Sequence, residues 1–382
     1  MLSNWIFGTL ALLSLALAVW QWIVARRFPL HERLETTSPD PSITLFKPLK
    51  GCDSATAVCL RSWVTQEYTG QVQILFAVTS SEDPAKAVVE SLLREFPSRD
   101  AQIVVTGPPK SANAKVSKLA ELEQLAKHDI FVVSDADVLA PPDLLRTIAT
   151  LLPSGGAQSS NGLVTCFYRM ANPTTRAMRW EAAAINADFW SQVLQSQSLK
   201  PLDFALGAVM ATRREQLKQI GGFKALADCL ADDYQLGNRI ARNGHSIALA
   251  PVVVDCWSET MGWADVWKHQ LRWARTIRVC QPAPYFFSIL SNPTLWPLLW
   301  AIVSPTTLAF GCCLFCLSFR IWMALDLQQR LARTRLPVSA GVFALLKDLL
   351  QAVIWAQAFT GNSIEWRGER MRLNRDGTLS KI

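Results

Sequence analysis

Several common catalytic signatures are missing from this sequence of 382 residues. It contains no Walker-type glycine loop, no GxGxxG and no GxSxG motif, so nothing in it marks a P-loop, dinucleotide-binding or serine-hydrolase site. Its four histidines lack metal-ligand spacing, and its nine cysteines form no zinc framework. Charged residues make up only 18% of the chain, compared with roughly 25% in an ordinary soluble domain. So low a charge content points to lipid in the surroundings.

Apolar and aromatic residues are what the sequence has in excess. Half of its residues are hydrophobic and fifteen are tryptophan, a residue that collects where helices cross the membrane–water interface. The net charge of +7 suits nucleic acid, anionic lipid or a phosphate-bearing substrate as a partner, and composition does not choose among them.

The first 27 residues are predicted to form an N-terminal transmembrane anchor. Trp5 to Val24 carry no charge, and this stretch has the length needed to cross a hydrocarbon core. Arg26 and Arg27 follow at once, and because basic flanks stay cytoplasmic we expect the N-terminus outside and the rest of the chain inside. A cleaved signal peptide, the alternative, would carry its positive charge before the apolar stretch and small residues after it.

Membrane character returns near the C-terminus, where two to three membrane helices are predicted. Tyr285–Val303 and Thr306–Leu325 are apolar segments. Val338–Phe359 is a third, but it carries Lys347 and Asp348 at its middle. Because two adjacent charges at the bilayer centre would be costly, an interfacial or re-entrant segment is favoured there over a simple span.

The middle of the chain alternates short strands with helices. Such alternation predicts an α/β domain with a mostly parallel sheet covered on both faces. Ligands of such sheets gather at the carboxyl ends of the strands. The predicted organisation is an anchor (1–27), a linker (28–42), the α/β domain (43–262), an amphipathic interfacial helix (263–284), membrane segments (285–361) and a basic cytosolic tail (362–382).

The sharpest local signal is the pair Asp135 and Asp137, which follows the apolar strand IFVVS. Two carboxylates two residues apart on a strand point to one face. Hard oxygen ligands of this kind suit Mg²⁺ or Mn²⁺, which neutralise a diphosphate. A solvated turn is the alternative, because Asp is common after strands.

A second acidic pair, Asp232 and Asp233, opens a predicted helix that closes at Gly244. Acidic residues at a helix start are favoured by the backbone dipole and by capping, although one of them suffices for a cap. Two adjacent carboxylates repel each other, so one of them holds its proton more readily, as a general base would. Capping and base roles both stay open.

Softer candidates lie at other predicted strand and helix ends. Asp83 starts a helix after the strand QILFAV, where an N-cap is the alternative role. Lys115 and Lys118 lie in a short polar loop before a helix and could contact a diphosphate. Lys47 and Lys50 lie in a loop after the first strand, where they could meet phosphate or solvent.

The stretch 263–280 predicts a basic amphipathic helix. A helix with tryptophan on its apolar face and basic residues on the other is suited to a membrane interface. Nucleic-acid binding would use the same residue types but fits poorly with the membrane segments, so we expect no nucleic acid partner. The apolar residues are Trp263, Trp267, Leu271 and Ala274, and the basic residues are Lys268, Arg272 and Arg275.

An ordered set of short motifs runs through nearly the whole chain. The motifs are LFKPLKGCD (45–53), SSEDPA (80–85), NAKVSKL (113–119), VSDADV (133–138), GGF (221–223), ADDY (231–234), HQLRW (269–273) and IEWRGERMRL (364–373). Together they resemble the family 21 glycosyltransferases, which include the ceramide glucosyltransferases and bacterial enzymes that glycosylate hopanoid lipids. The resemblance implies a GT-A fold, in which a Rossmann-like nucleotide-sugar domain is inserted between one N-terminal and two to three C-terminal membrane helices.

The resemblance also implies roles for the aspartates. Asp83 and Asp135 would lie at the nucleotide-sugar, together with Lys115. Asp137 would complete a DxD motif that holds the metal with Asp135. Asp233 would be the general base that takes the proton from the acceptor hydroxyl.

The acceptor and diphosphate end is implied by HQLRW. Arg272 and Trp273 match the last two positions of the family's (Q/R)xxRW motif. His269 stands where Gln or Arg is expected, so either His269 or its neighbour Gln270 takes that role. Lys118 stands where Asn is expected and could add charge near the diphosphate.

The resemblance implies an inverting enzyme that uses a UDP-sugar, Mg²⁺ or Mn²⁺, and a lipid acceptor. The catalytic domain of this multi-pass membrane protein would face the cytosol. Glucose transfer to a ceramide-like lipid and N-acetylglucosamine transfer to a hopanoid polyol both fit the motifs. A processive polysaccharide synthase shares the motif order, although the C-terminal membrane region is too small for an obvious polymer channel. The intact aspartates disfavour a non-catalytic scaffold, and the oligomeric state is left open.

Overall fold

The computed structural model describes residues 2–34, 40–152, 161–366 and 369–381. Residues 35–39 of the predicted linker, and residues 367–368 and 382 of the predicted tail, lie outside the described residues. The helices are α1 Leu2–Arg27, α2 Thr56–Val64, α3 Pro84–Glu95, α4 Ala114–Glu123, α5 Leu144–Leu151, α6 Arg176–Ala183, α7 Trp190–Gln197, α8 Arg214–Gln219, α9 Asp232–Arg242, α10 Trp263–Cys280, α11 Pro282–Phe287, α12 Leu295–Val303, α13 Thr307–Ala332 and α14 Val338–Ala358. The strands are β1 Ile43–Pro48, β2 Val72–Val78, β3 Asp100–Val105, β4 Ile130–Ser134, β5 Val138–Leu139, β6 Asn161–Met170, β7 Val209–Arg213, β8 Ser246–Cys256, β9 Ser363–Trp366, β10 Glu369–Leu373 and β11 Leu379–Lys381.

The chain forms two compact units. The sheet unit comprises Leu30–Ala171 and Pro201–Glu259, and the helix unit comprises Met1–Pro29, Asn172–Lys200 and Thr260–Ile382. The sheet unit contains most of the segment 43–262, but it begins earlier, at Leu30, and Asn172–Lys200 of that segment belongs to the helix unit.

The sheet unit is built on one eight-stranded sheet in the order β3-β2-β1-β4-β7-β6-β8-β5. The strands β3, β2, β1 and β4 are parallel neighbours, as expected for strands that alternate with helices. The sheet as a whole is mixed but mostly parallel, as expected, because six of its eight strands run in one direction and only β7 and β5 run against them. Every residue of β1 and β4 is buried, which fits the apolar run IFVV of β4, although β1 also buries the polar side chains of Thr44 and Lys47.

Three helices of the helix unit are long and apolar enough to cross a membrane: α1, α13 and α14. The pair Pro282–Ser291 and Leu295–Val303 is bent by 54° and would count as a fourth, broken span or as a re-entrant loop. These numbers refer to the described residues. By length and composition, the chain has the helices of a membrane protein, as predicted.

The irregular membrane segment is the bent pair at 282–303, and not Val338–Phe359, where the sequence favoured it. An interfacial or re-entrant segment was expected at Val338–Phe359, but α14 is continuous through Lys347 and Asp348. Both charged side chains are buried, and Asp348 pairs with Arg320 of α13. A buried charge that is paired and hydrogen-bonded costs far less than a solitary one, which removes the reason for expecting an irregular segment.

The described residues of the predicted basic tail are folded. Strands β9, β10 and β11 form a three-stranded antiparallel sheet. Ile364, Met371 and Leu373 are buried in it. Lys268 of α10 forms an ion pair with Glu365 at 3.0 Å, so this small sheet packs on α10.

Helix α10 runs from Trp263 to Cys280 and so ends four residues before the end of the segment 263–284, where the amphipathic helix was expected. Its apolar side packs against protein: Trp267 stacks on Trp180 of α6 at 6.1 Å and donates its indole N–H to Gln357 of α14 at 2.9 Å. Trp263 and Ile277 stay exposed, at 46% and 44%. Much of the face expected to lie in a membrane interface is therefore covered by α6 and α14.

Candidate active site

The pair Asp135 and Asp137 lies directly after β4, whose neighbours in the sheet are β1 and β7. Asp135 is partly exposed, and its Oδ1 lies 2.8 Å from Lys115 Nζ. The Asp137 carbonyl accepts a hydrogen bond from the Trp257 backbone N–H at 2.9 Å. The turn is therefore fixed through its backbone, and its two carboxylates lie at the end of a buried strand.

The buried Lys47 side chain stabilises the same turn through hydrogen bonds. Its ammonium donates to Ser134 Oγ at 3.2 Å and to the Asp135 carbonyl, and it lies 4.7 Å from the centre of the Trp63 ring. Burial lowers the pKa of Lys47 to about 7, although Asp135 and Asp137 act in the opposite direction. The expected loop position facing phosphate or solvent is wrong, because Lys47 belongs to β1 and its side chain is fully buried.

Lys115 links the two acidic pairs. Asn113 caps α4 by accepting from the N–H groups of Lys115 and Val116, which sets Lys115 in the first turn. Its ammonium lies 2.8 Å from Asp135 Oδ1 and 3.2 Å from Asp232 Oδ2. Burial opposes the charge, but these carboxylates hold the pKa of Lys115 above its usual value. Lys115 is therefore a permanent cation between two acidic motifs.

Asp232 and Asp233 open α9, but neither caps it. The capping position is Ala231, which makes no side-chain bond to the helix. Asp233 accepts from the Tyr234 N–H at 2.7 Å, whereas Asp232 pairs with Lys115. Burial, followed by the charge of Asp232, raises the pKa of Asp233 to about 6. A carboxyl with this pKa can exchange a proton near neutral pH.

A glycine leaves room for the Asp233 carboxylate. A Cβ added at Gly207 would come within 2.8 Å of Asp233 Oδ2. One at Gly237, in the second turn of α9, would come within 2.4 Å of the Ala205 nitrogen. The start of α9 and the segment before β7 are therefore in close contact, which fixes the position of Asp233.

Asp83 is the N-cap of α3. Its carboxylate accepts from the Ala85 N–H and from the Gly51 N–H, each at 3.0 Å. Gly51 has φ of 68°, a left-handed conformation that favours glycine. Asp83 thus ties the loop after β1 to the start of α3. Lys118 is also committed to that loop: it is buried and donates to the Leu49 carbonyl.

The HQLRW residues lie on α10 in the helix unit. His269 Nδ1 lies 2.6 Å from Glu181 Oε1, and Gln270 donates to the same oxygen at 2.9 Å. Glu181 is fully buried, and sequence reasoning missed it. Trp273 lies against the His269 ring at 4.7 Å, and Arg272 is partly buried. His269 and Gln270 therefore share one partner.

The donor set of Asp135 and Asp137 fits a divalent cation that also binds a diphosphate. Mg²⁺ is usually held by one or two carboxylates together with substrate phosphates and water. The Asp137 side chain keeps contact with solvent, and desolvation by the surrounding protein and then the charge of Asp135 raise its pKa to about 6. Within the described residues no three His, Cys, Asp or Glu side chains are grouped to hold a metal, so the protein offers part of a coordination shell.

Comparison with solved structures assigns the fold. The mannosyltransferase PcManGT from Pyrobaculum calidifontis, solved with GDP-Man and Mn²⁺, matches with a TM-score of 0.53 at 19% identity, covering 91% of this chain and 99% of that chain. This likeness assigns the GT-A fold, as predicted, and apolar helices precede and follow the sheet unit in the sequence.

Sequence comparison gives the family. The family model described as glycosyl transferase family 21 matches residues 6–379, so the chain belongs to that family and is a glycosyltransferase. Ceramide glucosyltransferase 1 of Caenorhabditis elegans is 22% identical over 378 residues, covering 92% of this chain and 76% of the worm protein. The ceramide glucosyltransferase of Candida albicans is 33% identical over 115 residues, covering 27% of this chain and 21% of that protein.

Proposed function

We propose that this chain is an inverting glycosyltransferase that moves glucose, or a related sugar, from a UDP-sugar to the hydroxyl of a membrane lipid, most closely a ceramide-like one. Family membership and the named ceramide glucosyltransferases support the reaction class. The three apolar helices support a lipid acceptor. Arg26 and Arg27 at the end of α1 support a catalytic unit on the cytosolic side.

The observation that carries the proposal is the position of Lys115 between Asp135 and Asp232. One cation brings the DxD motif and the Asp232–Asp233 pair into a single cluster. The cluster combines carboxylates suited to a metal with a carboxyl whose pKa is raised to about 6. A displacement at a sugar carbon needs a group that stabilises the negative charge of the leaving diphosphate, and a base that takes the proton from the acceptor hydroxyl.

The proposed reaction is a single displacement. Asp233 takes the proton of the lipid hydroxyl, whose oxygen forms a bond to the anomeric carbon of the sugar. The bond from that carbon to the diphosphate oxygen breaks, and UDP leaves with the electron pair. A Mg²⁺ or Mn²⁺ ion bound at Asp135 and Asp137 would offset the charge of the diphosphate.

The remaining predicted site residues take supporting roles. Asp83 would act near the nucleotide by fixing the loop after β1, to which it is hydrogen-bonded. Lys115 would keep a positive charge beside Asp135. His269, Gln270, Arg272 and Trp273 would serve the acceptor and diphosphate end.

The test uses purified protein in lipid nanodiscs with labelled UDP-glucose or UDP-N-acetylglucosamine, and with ceramide or host lipid extract. Mass spectrometry should find a lipid that carries one hexose, formed fastest from UDP-glucose and ceramide. Asp233→Asn should lower the rate about 10²–10⁴-fold, and Asp232→Asn should lower it less. A long polymer would instead identify a polysaccharide synthase. A hopanoid that carries N-acetylglucosamine would show that the acceptor is a hopanoid and the donor is UDP-N-acetylglucosamine.

A further inference from the structure

Helix α1 is long and apolar enough to cross a membrane, and later apolar segments contact its two ends. Near the start of α1, Asn4 accepts from the Trp300 indole N–H at 2.7 Å. A Cβ at Gly8 would come within 3.1 Å of the same ring. Trp300 lies in the second helix of the bent pair. The bent pair therefore ends beside the start of α1.

Helix α13 runs from the first half of α1 back to its end. In the first turn of α13, Ala309 shares a buried cluster with Ala11 of α1. Near the other end, Asp326 accepts from the Trp22 indole N–H at 2.8 Å and pairs with Arg26 at 3.4 Å. Since Trp22 and Arg26 lie in the last two turns of α1, α13 ends on the side of the membrane where α1 ends.

Helix α10 and the C-terminal sheet lie on that same side. Within the described part of the chain, no helix between α1 and α13 other than the bent pair passes as a membrane span, so the chain reaches α10 from the end of α1 without another crossing. Strand β9 contacts α10 twice: Glu365 pairs with Lys268 at 3.0 Å, and the Ser363 carbonyl accepts from Arg275. The tail is therefore on the side where α10 lies.

The crossings between α10 and the tail must be even in number, because both lie on one side. The bent pair makes one and α13 makes the second, so none is left for α14. We propose that α14 lies within a single leaflet, on the side where α1 ends, and that its exposed face binds the acyl chains of that leaflet. Its length and composition would allow a crossing, but the positions of its two ends exclude one.

The contacts of α13 agree with this position of α14. A Cβ at Gly341 of α14 would lie 2.7 Å from Leu325 and 2.8 Å from Ile321. Phe310 and Leu314 lie on the same face of α13 at helical spacing, yet they are 56% and 70% exposed. A helix that crossed beside α13 would cover them. The second half of α14 instead shares a buried cluster with α6 and α10.

The outward face of α14 is suited to acyl chains. Lys347 and Asp348 point the other way, into a buried cluster in which Asp188 and Asp348 pair with Arg320 and Lys347. An amphipathic helix in the interface buries its apolar face about 5–10 Å into the boundary between head groups and acyl chains, so all residues of that face lie at one depth. The exposed apolar residues of α14 recur on one face and are 37–67% exposed: Val338, Val342, Leu346, Leu349 and Val353.

Inserted protease sites in the full-length protein test the crossings. A site for a sequence-specific protease is placed at Pro305, between the bent pair and α13, at Thr334, between α13 and α14, or after the last residue. Each variant is treated with protease in spheroplasts and in inverted membrane vesicles, which expose opposite faces of the membrane. The Thr334 site and the C-terminal site should be cut in the same preparation, and the Pro305 site in the other.

Two results would overturn the proposal. Cleavage of the Thr334 site and the C-terminal site in opposite preparations would show that α14 crosses the membrane. Cleavage of all three sites in one preparation would show that the bent pair and α13 do not make the two crossings from which the position of α14 follows.

A measurement of depth needs no insertion. Trifluoromethyl-phenylalanine replaces Val338, Leu346 or Val353 in nanodiscs, and ¹⁹F relaxation by dissolved oxygen is compared with relaxation by a water-soluble nickel chelate. Helix α13 is the matched control, with the same label at three exposed positions, Leu308, Phe315 and Trp322. The ratio of oxygen to nickel effects should peak at Phe315 in α13. It should stay within about twofold across the α14 positions, although the outer two are about 22 Å apart along the helix. A peak at Leu346 as high as that at Phe315 would show that α14 spans the bilayer.

Discussion

The Lys115 ammonium lies 2.8 Å from the Asp135 carboxylate, which joins the start of α4 to the end of β4. The same ammonium lies 3.2 Å from Asp232. Three segments that are distant in the sequence are therefore held by one cation. Without that cation, the negative charges of Asp135, Asp232 and Asp233 would lie close together in a partly desolvated site and repel one another.

Replacing Lys115 by methionine tests this arrangement. Lys115→Met removes the cation and keeps most of the side-chain volume, so the carboxylates repel and the pKa of Asp233 rises further. We expect UDP release in the presence of lipid to fall at least about 100-fold. Lys110→Met is the control, because Lys110 pairs with Glu121 at the surface with 79% of its side chain exposed. A near-normal rate in Lys115→Met would refute the bridging role.

Adding one methyl group at Gly207 should disturb Asp233 without unfolding the protein. The new Cβ would lie 2.8 Å from Asp233 Oδ2, so the carboxylate must move. A displacement of this order in a catalytic group costs about 100-fold in rate, and we expect that loss in kcat for Gly207→Ala. Gly311→Ala on α13 meets nothing within 4 Å and should keep wild-type kcat. Equal rates in the two variants would show that Asp233 need not hold its position.

The pH profile should show an acid limb. Burial and Asp232 raise the pKa of Asp233 to about 6, and a general base works only when it is ionised. Activity should therefore rise with pH through about 6 and level off above it. Asp137 has a pKa raised to a similar value, so the profile is measured at two Mn²⁺ concentrations. A limb that moves with Mn²⁺ concentration reports Asp137, and one that stays fixed reports Asp233.

The sequence predicted the two acidic pairs because local patterns carry them. Asp135 and Asp137 follow an apolar strand, and Asp232 and Asp233 begin an amphipathic helix; the structure has both elements. The connecting residue was harder to predict. Lys115 was expected at a diphosphate, and its two carboxylate partners depend on tertiary packing that no local pattern contains.

Buried charges account for most of what the sequence did not reveal. Lys47 looked like a loop residue because it stands beside a proline, yet β1 continues through Pro48 and buries it. Lys347 and Asp348 were expected to prevent Val338–Phe359 from crossing the membrane as a simple span, because two adjacent charges at the bilayer centre would be costly. The available signal was Arg320, a lone charge inside the apolar segment Thr306–Leu325. An ionisable residue in a membrane helix indicates a partner or a site.

A substitution at Asp137 should test metal dependence more directly than one at Asp135. Asp135 also pairs with Lys115, so its loss changes two interactions. Asp137→Asn removes one carboxylate charge from the proposed ligand set, and the Mn²⁺ concentration for half-maximal activity should rise about tenfold or more. The measurement is a Mn²⁺ titration after removal of metal with EDTA. Full activity of the wild type in EDTA would show that the reaction needs no divalent cation.

The buried cluster around Arg320 makes a prediction about stability. Arg320→Met leaves Asp188 and Asp348 with Lys347 as their only basic partner in the cluster, and breaking a buried pair costs about 3–5 kcal/mol. The thermal unfolding temperature in detergent should fall clearly. Arg26→Met, which breaks a pair with Asp326 at 3.4 Å where Arg26 is 47% exposed, should cost about 1 kcal/mol or less. Adding Asp348→Asn to Arg320→Met restores the charge balance, because Lys347 and Asp188 remain paired, and should recover part of the loss. A double variant less stable than Arg320→Met would mean that packing of the guanidinium, rather than its charge, stabilises these helices.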